Sequence, residues 1–251
     1  MEDVIVRYFF EPEIKNGIAI EGLPGVGNVG KLAVEHMVDV LEAKKFASIY
    51  SKYLPPQVLI NENGKIRLVS HDFYLYNGEK QDIVFITGDY QGMSQEGQYE
   101  LSMAALDIAE HLGIKKVITL GGYGSGRIEE KARVLGAVTD EKMKKELEDA
   151  GVVFSPDEPS SGIVGASGLL LGLGELRGME GTCLMAETSG YFIDPKGASA
   201  LISTLSKLLD VEIDRSGLDE KVQDMEELAK HMKELEQTEK ENETQDLSYI
   251  G

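Results

Sequence analysis

A single cysteine, Cys183, among 251 residues leaves no partner for an internal disulfide and rules out a zinc site built from several thiolates. It lies in the apolar run Thr182-Cys183-Leu184-Met185-Ala186, which marks it as a small buried hydrophobe rather than a reactive thiol. Positive charge is scarce as well. Lys and Arg total 25 against 44 Asp and Glu, a formal net charge of −19. A field of that sign repels phosphate backbones, and no local cluster of bases offsets it, so nucleic acid is not expected as a partner. No apolar run approaches the ~20 residues that span a bilayer, and Met1-Glu2-Asp3 lacks the basic start of a secretory signal. The expectation is a cytoplasmic protein with no membrane partner. Hydrophobic residues at 42% still supply a core for one large domain.

What is present is an alternation of short apolar runs and amphipathic segments. Strands are expected at 17–21, 46–50, 83–87, 116–120, 134–138, 152–154 and 182–186. Between them, apolar residues at helical spacing mark 29–41, 97–112, 140–150 and 195–209, the last with Asp194 as N-cap and Pro195 at its first turn. The segment 163–173 is a further, glycine-laced apolar run. Val58 to Ile60 and Ile66 to Ser70 flank Asn61-Glu62-Asn63-Gly64, whose Asn-Gly step suits a hairpin. This pattern predicts a three-layer, Rossmann-like α/β fold: a mostly parallel sheet, helices on both faces, and an antiparallel edge hairpin. The α/β domain is expected over 1–211. An amphipathic helical extension over 212–241 carries the heptad-like stripe Leu218, Val222, Met225, Ala229 and Met232, and a flexible tail with an apolar terminus occupies 242–251.

Two glycine clusters sit where such folds bind ligands. Gly22-Leu23-Pro24-Gly25-Val26-Gly27-Asn28-Val29-Gly30 holds a G-x-G-x-x-G pattern (Gly25, Gly27, Gly30) between a strand and a helix, where backbone amides attract anions. The acid that would hold a ribose is missing after Phe46 to Tyr50, and no Walker lysine follows the glycines. The pattern reads either as a ligand loop, with Asn28 in it, or as a tight structural turn. Gly121-Gly122-Tyr123-Gly124-Ser125-Gly126-Arg127 follows the strand ending at Leu120, and Arg127 is placed to clamp an anion. Ser125 does not fit the G-x-S-x-G elbow, and no base is positioned among His36, His71, His111 and His231. Asp89 and Glu187, at strand ends, either converge as a metal or acid–base pair or serve as turn residues. On balance no cofactor, metal or catalytic residue is expected.

The ordered series Gly22 to Gly30, Tyr53-Leu54-Pro55-Pro56, Gly88-Asp89, Gly121-Gly122-Tyr123, Gly168-Leu169-Leu170-Leu171 and Glu187-Thr188-Ser189-Gly190-Tyr191 resembles the proteasome assembly chaperone family in its archaeal form. The resemblance runs from about Gly17 to Val222. It implies a non-catalytic, homo-oligomeric chaperone or adaptor whose partner is the proteasome core particle or its α subunits, aiding assembly or ATP-independent activation. It also implies docking by a C-terminal hydrophobic-Tyr-X tail, here Tyr249, Ile250 and Gly251. The match is displaced, since Tyr249 is third from the end rather than second. Several tails on one oligomer would gain avidity from weak contacts. The rival reading is an enzyme or sensor for a nucleotide or nucleoside, using the loops at 22–30 and 121–127.

Overall fold

A computed structural model describes residues 3–127, 131–155 and 162–223. In chain order these contain β1 (Val4–Tyr8), β2 (Ile18–Gly22), α1 (Val29–Val40), β3 (Lys44–Ser51), β4 (Val58–Ile60), β5 (Ile66–Leu68), β6 (His71–Asn77) and β7 (Asp82–Gly88). Then follow α2 (Gln95–His111), β8 (Lys116–Gly124), β9 (Val134–Val138), α3 (Lys144–Asp149), α4 (Ala166–Leu176), β10 (Glu180–Thr188) and α5 (Pro195–Leu209). Eight strands form one sheet in the order β1-β3-β6-β7-β2-β8-β10-β9. Its centre, β7-β2-β8-β10, is parallel. Helices cover both faces of these strands, so Ile18-Ala19-Ile20 and Ile83-Val84-Phe85-Ile86 are apolar without alternation.

Antiparallel strands widen the sheet on both sides, with β6, β3 and β1 on one and β9 on the other. The hairpin around Asn61 to Gly64 forms as a separate two-stranded ribbon, β4–β5. Strands β1 and β6 are additions to the sequence reading. In β6, His71, Phe73 and Leu75 are buried on one face while Asp72, Tyr74 and Tyr76 alternate, half-buried, onto the other, where the two tyrosines meet the α1–α5 half of the core; the period of two is begun by a polar residue. Val152 to Phe154 falls short of a strand: Val153 makes only an isolated bridge to Leu135, because so short a segment completes one local pair of ladder bonds. The segment 140–150 begins as a 3₁₀ turn, Glu141–Met143, before α3.

The core has two main halves, one on each face of the sheet. On one face α1 and α5 bury Val29, Ala33, Met37, Leu201, Ile202 and Leu205. The helical spacing of these residues is what the amphipathic pattern recorded. On the other face α2 and α4 bury Leu101, Leu106 and Leu170 against Phe46, Phe73 and Ile86. Ser94 caps α2 by accepting from Gly97 N at 3.0 Å, and Asp194 caps α5 by accepting from Gly197 N at 3.0 Å. Beyond α5 the chain turns back, since Ile213 and Leu218 are buried in the α1–α5 half and residues 216–223 are helical. Of the heptad-like stripe, Met225, Ala229 and Met232 lie outside the described residues.

Candidate partner-binding site

Parallel strands bring their C-terminal ends to one edge, and both glycine clusters meet there. The first loop leaves β2 at Gly22 and passes through a 3₁₀ turn, Val26–Asn28, into α1. A Cβ on Gly122 would strike the Val26 carbonyl, and one on Gly30 would strike the Leu120 carbonyl. These glycines therefore let the first loop and α1 press directly on β8. Gly27 holds a left-handed φ of 61° with Thr188 Oγ1 beside it, and its carbonyl accepts from Asp194 N at 2.9 Å. Gly25 is exposed, its carbonyl accepting from Asn28 N at 3.0 Å. So Gly25, Gly27, Asn28, Gly30 and Gly122 do come together at this edge; Gly27, Gly30 and Gly122 pack against neighbouring chain, while Gly25 keeps open space beside it. Tyr123 turns instead toward the cluster of Leu135, Leu171, Cys183 and Met185. Arg127 is exposed, its backbone N donating to Ser125 Oγ at 3.2 Å. The tail residues Tyr249, Ile250 and Gly251 lie outside the described residues.

Beneath the loops the edge is closed by polar bonds. Gln91 Nε2 donates to the Pro24 carbonyl at 2.7 Å, while Gln91 Oε1 accepts from Ala166 N and Gln98 Nε2, each at 3.1 Å. Glu21, fully buried on β2, accepts from Leu23 N at 2.8 Å and Ser167 Oγ at 3.0 Å. Burial pushes its carboxyl up to about 7 despite those two bonds. The sequence reading passed over Glu21 and Gln91. For Glu21 the available signal was an acid inside a strand that is otherwise apolar on both faces.

Asp89 and Glu187 do not converge. Strands β2 and β8 separate β7 from β10, a spacing of roughly 14 Å at one strand per ~4.8 Å, and each acid has its own arginine. Arg67 binds Asp89 in bidentate fashion at 2.6 and 2.7 Å, tying the β4–β5 ribbon to the sheet. Burial opposes the charge on Asp89, but bonds from Arg67 and Ser70 N outweigh it and hold the carboxyl low. Arg133 donates to both carboxylate oxygens of Glu187, at 3.0 and 2.5 Å, and lowers its pKa in the same way.

Other chemistry is sparse at this edge. Cys183 is buried and its thiol is pushed up to about 12, as suits a core residue. Among the described residues no group of His, Cys, Asp and Glu is placed to hold a metal ion, and no helix is long and apolar enough to cross a membrane. What the edge offers outward is apolar. After β10, Tyr191, Phe192 and Ile193 are 77%, 68% and 57% exposed. Gly190, just before them, lies against Val26 and Gly124.

The family model described as the PAC2 family matches residues 19–235. The Pyrococcus furiosus protein PbaB, described as an archaeal proteasome activator, is 39% identical with a TM-score of 0.87, covering 93% of this chain and 100% of that one. PbaA of the same organism, an archaeal homolog of proteasome-assembly chaperone, is 27% identical with a TM-score of 0.78 over 100% of both chains. An uncharacterized Methanocaldococcus jannaschii protein, MJ1210, is 37% identical over 100% of this chain and 99% of its own length. Together with the motif series, these matches show that the chain belongs to the PAC2 family of proteasome assembly chaperone homologues.

Proposed function

We propose that this protein is a non-catalytic, homo-oligomeric chaperone or adaptor that binds the proteasome core particle or its α subunits. The observation that carries this reading is the 39% identity to an archaeal proteasome activator along nearly the whole chain. The site chemistry agrees with it. Gly30 and Gly122 lie against the protein's own backbone, and the same edge turns three large apolar side chains to solvent. Exposed apolar clusters of this kind serve protein contacts. Tyr249, Ile250 and Gly251 are assigned to the partner interface, with the acidic segment before them as tether. Assembly aid and ATP-independent activation are both served by such binding.

The test is capture of archaeal α subunits and of assembled core particle by the intact chain and by a chain ending at Ser248. Capture by the intact chain, weakened by the truncation, is expected. Equal capture by both would remove the tail from the interface, and no capture by the intact chain would overturn the proposal.

A further inference from the structure

We infer that two copies of this chain pair edge to edge through β1, antiparallel, in the register that places Val6 opposite the partner's Val6. Strand β1 ends the sheet and bonds only to β3 among the described residues. Phe9 N donates to the Phe46 carbonyl at 2.7 Å, and Lys52 N donates to the Asp3 carbonyl at 3.4 Å. Hydrogen-bonded positions alternate along an antiparallel ladder. Odd-numbered residues therefore face β3, and the N–H and C=O groups of Val4, Val6 and Tyr8 point away from the sheet.

A free row of this kind is a template for a further strand. Proteins usually guard it with proline, lysine, a bulge or a cover. The run Val4-Ile5-Val6-Arg7-Tyr8 contains no proline or lysine, and its one charge, Arg7, lies over the Phe9 ring at 5.3 Å. Ile5, Val6 and Tyr8 are 38%, 37% and 40% exposed.

The occupant follows from the register. A two-fold axis through a hydrogen-bonded pair must fall on an outward-facing residue, here Val4, Val6 or Tyr8. Only Val6 is central, and centring there uses all three: Val4 meets the partner's Tyr8, and Val6 meets the partner's Val6. Three reciprocal pairs give about six backbone hydrogen bonds. Arg7 then stands opposite the partner's Ile5, so no like charges meet across the dyad. The strand is its own complement. The result is a sheet of sixteen strands running through both copies, twice the eight of one chain. This pairing does not depend on proteasome binding.

Cysteine pairs in the full chain decide it, because the native Cys183 is buried and silent. In this register the two residue-6 Cα atoms lie about 5.5 Å apart, within disulfide reach, whereas the two residue-5 Cα atoms lie about 8 Å apart. Mild oxidation is expected to convert Val6→Cys to a reducible, covalently linked dimer and to leave Ile5→Cys unlinked. A third variant, Val6→Pro, removes an outward N–H while sparing the ladder to β3, and should reduce the mass found by light scattering with unchanged circular dichroism. Absence of the Val6→Cys cross-link, or equal linking of both cysteine variants, would overturn the inference. So would a folded Val6→Pro protein that keeps the native mass. If Val6→Pro fails to fold, the two cysteine variants still give the answer.

Discussion

At its β9 edge the sheet is finished by the chain itself, whereas at its β1 edge it stops with backbone groups facing outward. Residues 152–154 lie along β9, where Val153 N donates to the Val134 carbonyl at 2.8 Å and Gly136 N donates to the Val153 carbonyl at 3.0 Å. Gly136 makes this cover possible, since a Cβ there would lie 2.5–2.9 Å from Val152 and Phe154. No such cover reaches β1 from the described residues. Net charge therefore does not guard an edge. From Asp214 to Gly251 twelve acids face five bases, so a large part of the −19 lies in the C-terminal segment, while β1 carries one charge. Edge protection is local.

Breaking the closed edge should have the largest effect. Gly136→Val forces side-chain atoms into Val152 and Phe154, and overpacking on this scale costs about 3 kcal/mol, read as a lower urea midpoint. Between the two edges, Glu21 reports on the parallel heart. Its folded pKa of about 7 stands above the ordinary 4.5, so the folded chain keeps a proton that the unfolded chain releases between those values. Stability is therefore full below about pH 4.5 and declines as pH rises to 7, by about 3 kcal/mol at most. Glu21→Gln should flatten that slope in denaturation at pH 5 and 8; an unchanged slope would assign it elsewhere.

Proline sharpens the comparison between edges. Val153→Pro removes an N–H that serves β9 and is expected to cost about 2 kcal/mol, with Leu135 losing its cover. Val6→Pro, whose N–H faces outward, should cost the fold of one chain less than about 1 kcal/mol. Equal costs would contradict the difference between the edges. The smallest effect is expected beside β1, at the ribbon. Arg67 is half exposed, so Arg67→Ala should cost no more than about 1 kcal/mol. Its clearer readout is a rise in the Asp89 pKa by NMR titration and faster amide exchange in β4 and β5.

The elements that were legible in the sequence are those whose burial imposes a pattern. Strands β2, β7 and β10 read as apolar runs because both faces are covered, and α5 announced itself through Asp194 and Pro195. Strand β1 escaped because it is exposed along most of its length, and β6 because its buried series starts with His71 and its half-buried series with Asp72. At the candidate site, the meeting of the glycine loops followed from their shared position at strand ends. What fills the loops did not, since Thr188, Leu120 and Gly122 reach them from distant parts of the chain. The pairs Arg67–Asp89 and Arg133–Glu187 span 22 and 54 residues, and only the sheet order shows that the two acids are kept apart. The family resemblance was legible because it rests on the order of short motifs rather than on any contact.

Binding to the proteasome is tested most directly by sedimentation velocity of the intact chain mixed with archaeal proteasome core particle, at physiological salt. A boundary that sediments faster than the core particle alone and contains both proteins is expected. Two boundaries that sediment as in the separate samples, at concentrations where the chain is folded and oligomeric, would contradict it.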